Sequence, residues 1–309
     1  MEFYANLHTH SIHSDGVYTP ERLVEIATQE GYRAFAITDH DTATAFPLLQ
    51  KACEDKGMEC VFGVEFTSPA PDVNASFHVV GFGFDPNEPA MKNYLEQMSA
   101  READQTRVLF ERGVAIGRIT GITWDEVLEY NHGITWICNE HLFNAMKAKG
   151  LKTDHDYAEF FETLFGKHRF EVPPKYEFLP VDQMIALIHA AGGMAVVAHP
   201  HKQLRHMEYL YRKGLDGIEV WHPDLAAASE RRAALETARK YDWFVSGGSD
   251  HSGLCGGQYE RYENPETCAW YLPPKSVGTT EFFYREIQAM RRTAERREVI
   301  DAILAEEIL

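Results

Sequence analysis

The chain has 309 residues and a formal net charge of −17 at pH 7, which argues against binding a nucleic-acid polymer through a broad basic face. Its 44% hydrophobic and 25% charged content is ordinary globular usage, with length enough for one large domain or one domain carrying an insertion. There is no basic start followed by an apolar run and no bilayer-length apolar stretch, and the five cysteines are scattered without a C-x-x-C pair, so a reduced, cytoplasmic protein with no membrane partner is expected.

The first informative stretch is Asn6-Leu-His-Thr-His-Ser-Ile-His-Ser-Asp-Gly16. Ala5-Asn6-Leu7 reads as a short strand, and side chains two apart on a strand share a face, so His8 and His10 converge. The turn at Ser14-Asp15-Gly16 swings Asp15 back towards them, giving the N and O donors that divalent transition metals take. Thr19 and Pro20 then open a helix that stops at Gly31, and Ala34 to Thr38 forms a buried strand delivering Asp39-His40-Asp41. A second helix ends at Gly57, the strand Glu59 to Val64 delivers Glu65, and the strand Phe77 to Phe82 carries His78. Short apolar strands alternating with helices predict a parallel α/β sheet or barrel.

That rhythm breaks between about Pro89 and Pro174, where four helices are expected: Met91 to Arg112, Trp124 to Tyr130, Glu140 to Lys149 and Tyr157 to Phe165. Residues 89–174 are therefore expected to form an inserted helical cap over a core made of 1–88 and 175–309, because insertions in such folds extend the loops around the site. The alternation resumes with a helix from Val181 to Ala191 and a strand, Met194 to Ala198, delivering His199-Pro200. The strand Gly217 to Trp221 delivers His222, and Trp243 to Ser246 delivers Gly247-Gly248-Ser249-Asp250-His251. About seven strands result, with one charged helix from Thr280 to the end.

Ligand sites in parallel α/β folds lie at the C-terminal ends of the strands. Those ends carry His8, His10, His40, Glu65, His199, His222 and Asp250, with Asp15 in the first loop and His78 within a strand. Singly each has a plain explanation as a cap, a turn residue or a solvated strand end; together they predict a metal centre.

The chain resembles the PHP (polymerase and histidinol phosphatase) domain phosphoesterases. The resemblance rests on His8-Thr9-His10-Ser11, Ser14-Asp15-Gly16, Thr38-Asp39-His40-Asp41, Gly63-Val64-Glu65, Ala198-His199-Pro200 and Gly248-Ser249-Asp250. More narrowly, Ile188 to Pro200 and Gly214 to Glu219 resemble the branch with a helical insertion that acts on nucleotide phosphates. The resemblance implies a distorted (β/α)7 barrel holding two or three divalent ions. It assigns His8, His10, Glu65 and Asp250 to one ion, bridges Glu65 to a second held by His78 and His199, and gives Asp15 and His40 to a third. Two departures stand out. The family's last histidine falls two residues after the aspartate, where this chain has Ser252, with His251 one residue earlier; and where relatives carry Arg-Pro-His in the insertion, this chain has Asn139-Glu140-His141. His141 and Asn139 are accordingly expected at the substrate phosphate, with Lys202 and Arg205 as the remaining cationic candidates.

Nitrogen and oxygen donors without thiolate suit Mn, Fe or Zn. The expected reaction is in-line attack of a metal-bridging hydroxide on the phosphorus of a small phosphorylated substrate, a nucleotide 3'-phosphate, bisphosphate or cyclic phosphodiester, with His251, His222 or Asp41 protonating the leaving group. The alternatives are a histidinol-phosphate-type monoesterase, an amidohydrolase, and a metal-binding regulatory module without turnover. The lysine on which amidohydrolases commonly rely does not follow the strand ending at Glu65 or His78.

Overall fold

The structure, a computed structural model, describes residues 1–250 and 277–306. Its described strands fall into two sheets. β1 (Ala5–Asn6), β2 (Ala34–Phe35) and β3 (Glu59–Cys60) make a short parallel sheet, while β4 (Gly63–Ala70), β5 (Ala75–Phe82), β6 (Met194–Val197), β7 (Gly217–Trp221) and β8 (Phe244–Gly247) make a larger one, each in that order. β6, β7 and β8 run parallel, but β5 is antiparallel to both β4 and β6. The molecule is thus a mixed α/β fold whose described ladders form two open sheets, with β5 antiparallel to both neighbours where a parallel alternation is expected. The reason lies in Pro71-Asp72-Val73-Asn74, a single helical turn closed by Asn74 in the left-handed region. A parallel crossover needs about a dozen residues, and a connection this short makes a hairpin.

The strand expected over 59–64 divides as well. β3 pairs with β2, and the chain then switches partners so that β4 pairs with β5. Glu65 consequently lies inside β4 rather than beyond a strand end.

The two sheets meet at two seams. Leu7 N–H donates to the Gly247 carbonyl at 3.3 Å and Asp250 N–H to the His8 carbonyl at 2.8 Å, joining β1 to the end of β8. On the other side His40 forms a parallel bridge with Glu65, and Asp41 N–H donates to the Glu65 carbonyl at 2.9 Å.

Helices α1 (Pro20–Glu30) and α2 (Phe46–Lys56) follow β1 and β2. α1 begins as the sequence predicts, with Thr19 accepting from Arg22 N–H, Pro20 in the first turn and Gly31 left-handed at its end. Between β5 and α7 (Val181–Ala190) come α3 (Pro89–Ala115), α4 (Trp124–Tyr130), α5 (Asn139–Ala148) and α6 (Tyr157–Leu164). Leu109 and Phe110 of α3 pack with Val127, Leu142, Phe143 and Phe160 in a cluster of their own. Met91, Tyr94, Leu95 and Met98 of the same helix pack instead into the main core beside Phe66 and Val79. Packing therefore passes from core to helical cluster part-way along α3.

α8 (Met207–Arg212) and α9 (Ala228–Tyr241) complete the crossovers. The single helix expected from Thr280 onward is two, α10 (Glu281–Gln288) and α11 (Arg296–Ala305), broken at Met290, whose φ is +48°. Glu286 stabilises the break: it accepts from Thr293 N–H and hydroxyl and from the buried Arg296 guanidinium. No helix among the described residues is long and apolar enough to cross a membrane.

Candidate metal centre

The first loop is shaped before any ligand is considered. Asp39, buried at the end of the second strand's run, accepts from Ser11 N–H at 2.7 Å, the Ser11 hydroxyl at 2.6 Å and the Ser14 hydroxyl at 2.6 Å. Gly16 closes the turn, since a Cβ there would stand 2.3 Å from the His10 carbonyl oxygen. Gly248 plays the same part at the β1–β8 seam, where a Cβ would lie 2.4 Å from His8.

The seams bring donor atoms from both sheets to one point. Glu65 Oε2 faces His40 Nδ1 at 3.2 Å, His10 Nε2 at 3.3 Å and His8 Nε2 at 3.4 Å. Asp250 Oδ1 stands 2.9 Å from His10 Nε2 and 3.5 Å from His8 Nε2. The other Glu65 oxygen, Oε1, lies 2.9 Å from His199 Nε2 and 3.0 Å from His78 Nδ1. Asp15 Oδ1 is 3.6 Å from His10 Nδ1 and 4.0 Å from His40 Nε2. Every metal-ligating side chain predicted from the sequence is thus in one cluster.

The donor set fits metal. Ligands about 2.1 Å from a tetrahedral ion lie about 3.4 Å from one another, the spacing found around Glu65 Oε2. Glu65 Oε2 and His40 Nδ1 are buried yet have no hydrogen-bond partner, and buried polar atoms are almost always paired. The groups His8/His10/Glu65/Asp250, His10/Asp15/His40 and His40/Glu65/His78 each bring one donor atom per residue within 4.8 Å of the others. Backbone strain gathers here too: Asp41, His199 and Asp250 have φ of +49°, +27° and +49°, which costs about 1–3 kcal/mol each and persists where the surroundings enforce it.

Electrostatics follow from burial and crowding. Burial alone would push His8 down, but Glu219, Glu65 and Asp250 outweigh it and hold the imidazole well above its ordinary range. His10 is raised in the same way by Asp250 and Glu65 against burial, and His199 is lifted to about 9 by Glu65 despite burial. Burial would raise Glu65, yet His8, His78 and His40 keep it well below the usual carboxylate range. A centre that holds protons this tightly without metal offers the same lone pairs to a cation.

Several site residues differ from expectation. His222, expected among the candidates to protonate the leaving group, is buried: its Nδ1 accepts from Asp224 N–H at 3.0 Å, and its Nε2, without a hydrogen-bond partner, stands 3.3 Å from Asp250 Oδ2. Asp41 is buried, its Oδ1 3.4 Å from Thr67 N–H, and burial raises its carboxyl well above the usual range. His141 has no free ring nitrogen: Nδ1 accepts from Cys138 N–H at 3.0 Å and Nε2–H donates to the Ile12 carbonyl at 2.8 Å. Asn139 is buried and donates to the Tyr157 hydroxyl at 3.0 Å. These two, expected at the substrate phosphate, are engaged within the chain, His141 tying α5 to the first loop. Lys202 and Arg205 are exposed after Pro200, Arg205 Nε lying 3.1 Å from His206 Nε2. His251 and Ser252 lie outside the described residues.

The sequence reading missed Glu219 as a site residue. From the middle of β7 its carboxylate accepts from His8 Nδ1–H at 3.2 Å and from His199 N–H at 2.8 Å. That fixes the His8 tautomer with Nε2 turned to the cluster. The available signal was a glutamate between Ile218 and Val220 in an otherwise apolar strand. Trp136 was missed as well: its ring lies 6.2 Å from that of His40 at 29°, bringing the segment before α5 onto the site.

A mixed α/β fold with a buried His/Glu/Asp cluster where its two sheets meet is an arrangement that suits a metal-dependent hydrolase. Residues 6–172 match the PHP domain model, and the chain belongs to the PHP domain family. A phosphoribosyl 1,2-cyclic phosphate 1,2-diphosphodiesterase from Eggerthella lenta is 28% identical, over 81% of this chain and 95% of its own. A 5'-3' exoribonuclease from Haemophilus influenzae is 30% identical over 81% and 90%. A 3',5'-nucleoside bisphosphate phosphatase from Chromobacterium violaceum is 26% identical over 82% and 89%. Among solved structures, a candidate metal-dependent phosphoesterase from Bifidobacterium adolescentis superposes with a TM-score of 0.71 at 27% identity, covering 94% of this chain and 97% of its own.

Proposed function

We propose that this chain is a metal-dependent phosphoesterase that hydrolyses a phosphate ester of a nucleotide-related molecule. The observation that carries the reading is the Glu65 carboxylate, with one oxygen faced by three imidazole nitrogens and the other by two. Carboxylates shared in this way suit a site for more than one cation. We assign His8, His10, Glu65 and Asp250 to one ion, Glu65, His78 and His199 to a second, and Asp15 and His40, beside His10, to a third. Divalent ions of the Mn, Fe or Zn kind supply Lewis acidity and activate water there.

The chain's own residues do the rest. Glu219 presents His8 Nε2 by holding its Nδ1 proton, and His222 Nε2 lies beside Asp250 at 3.3 Å. The Asp39 hydrogen bonds hold the loop that carries His10 and Asp15. Trp136 covers His40 and excludes water from that side of the centre. We assign residues 89–174 as the cap and read the seams as the closure points of a distorted barrel. Two of the relatives are named for a phosphoribosyl cyclic phosphate and a nucleoside bisphosphate, which supports a nucleotide-related substrate, and the exoribonuclease name runs against restricting the class to small molecules.

The test is phosphate release from a panel of nucleotide bisphosphates, cyclic nucleotides and short oligoribonucleotides, with metal content measured per chain. Turnover on one class, lost in His10→Ala and Glu65→Ala together with bound metal, supports the reading. Metal-loaded protein inert on every phosphate ester yet active on amides would replace it with the amidohydrolase alternative.

A further inference from the structure

A cleft of about 840 Å³ opens between the start of α2 and one face of α3. Two of its lining residues are chain neighbours of groups at the site. Thr42 lies two residues beyond His40, and Thr135 precedes Trp136, whose ring stacks on His40. Thr44 hydrogen-bonds His13 Nδ1 at 2.9 Å, tying the same wall to the loop of His10 and Asp15. Across the cleft the Thr135 hydroxyl donates to Ser99 Oγ at 3.2 Å. The lining is thus joined through Thr42, Thr44 and Thr135 to residues at or beside the metal centre.

We propose that this cleft holds the nucleoside of the substrate, with its base against the apolar walls; the inference rests on the phosphoesterase reading above. The size falls within the ~300–1,000 Å³ of small-molecule pockets, which are apolar with a few placed polar groups. Phe46, Pro47, Pro86 and Leu95 supply flat apolar surface for ring faces, while the hydroxyls of Thr44, Ser99 and Thr135 meet ring-edge and ribose donors and acceptors. Among the described lining residues the charged ones are Lys92 and Glu96, one helical turn apart on α3 and both exposed. A short amino alcohol of the histidinol kind would find neither a buried carboxylate for its ammonium nor polar walls for its chain. A planar heteroaromatic base matches both the walls and the shortage of buried charge.

Two half-buried alanines, Ala100 within α3 and Ala43 in the segment before α2, line the cleft. Ala100→Trp and Ala43→Leu fill the cleft from different sides. On manganese-loaded enzyme with adenosine 3',5'-bisphosphate, Ala100→Trp is expected to raise KM about tenfold more than it lowers kcat, the pattern of lost uniform binding, and Ala43→Leu to act in the same direction. On chelator-stripped protein, saturation-transfer NMR is expected to show contact with adenosine in the unmodified chain and its loss in both variants. Unchanged KM in both variants, or adenosine contact that is absent from the unmodified chain or persists in both variants, overturns the proposal. If adenosine contact is present and abolished by both variants while the unmodified enzyme releases no phosphate from any ester of the panel above, the cleft is a nucleoside site and the phosphoesterase reading falls.

Discussion

At the scale of single residues, Glu219 shows how a group that touches no substrate sets the centre. Its carboxylate spans the His8 ring and the His199 backbone, two ligand-bearing positions on different strands. Glu219→Gln keeps the shape but weakens the hold on the Nδ1 proton, and changes to such outer partners cost about 10–100-fold in metal affinity or activity. A metal titration of the variant should show that loss while circular dichroism stays unchanged. Protonation gives a second residue-level expectation. In the metal-free protein His199 is lifted to about 9, so its stabilisation is fully present below the unfolded value of about 6.5 and is lost as pH rises through 9. Glu65 and Asp250 are depressed, so theirs is present above the ordinary carboxylate range and lost as pH falls below it. Metal-free protein should therefore melt highest between mild acid and neutrality and lower at pH 10, and the alkaline decline should vanish on metal loading, which displaces the protons concerned.

At the scale of elements, two contacts decide how secondary structure presents the site. α5 is latched to the first loop through His141, which has both ring nitrogens engaged and its ring buried. His141→Ala should lower stability by about 1–3 kcal/mol, the cost of leaving buried partners unsatisfied, with denaturant unfolding as the readout and KM for substrate moving little. A phosphate ligand would give the opposite pattern, a large KM change at unaltered stability. The break between α10 and α11 rests on Arg296 and Glu286, each about 1% exposed. Removing the arginine strands a buried carboxylate, so Arg296→Ala should cost about 3–5 kcal/mol. The sequence carried some of this and hid the rest. The Thr19-Pro20 start and Gly31 stop of α1 are local signals and are legible. So are His8, His10, Asp15, His40, His78, His199 and Asp250, because short strands and turns put them on one rim whatever the details of pairing. The partner switch between β3 and β4 was hidden, since Glu59 to Val64 reads as one strand until β2 and β5 compete for it. Glu219 and His141 were hidden because a sequence shows residue types but not which nitrogen is already engaged. The α10–α11 break was hidden for a similar reason, being fixed by a buried ion pair with no helix-breaking residue beside it.

At the scale of the whole molecule, the metal centre stands where two open sheets meet. His8 and His10 follow β1 and His40 follows β2, whereas Glu65, His78, His199 and Asp250 belong to β4, β5 and the ends of β6 and β8. Among the described residues the backbone bonds joining the sheets include Leu7 to Gly247 and Asp250 to His8 at one seam, and those of Glu65 with Thr38, Asp39 and Asp41 at the other. Without cations the same place gathers imidazolium and carboxylate groups in a buried cluster, where desolvation opposes pairing. Bound ions would cross-link the sheets through ligands drawn from both, and any ligand specific to the native state stabilises it by RT ln(1 + [L]/Kd), about 2.7 kcal/mol at a hundredfold excess over Kd. Chelation should therefore lower the melting temperature. The loosening should also be local, because the helical cluster of Leu109, Phe110, Leu142 and Phe160 shares no ligand with the seams. Hydrogen exchange with and without chelator separates this from general destabilisation. The amides of Leu7, Asp41 and Asp250 should exchange faster after metal removal, while those within α6 and the C-terminal half of α3 keep their protection. Equal acceleration in both regions would show that the ions stabilise the fold as a whole rather than joining its two sheets.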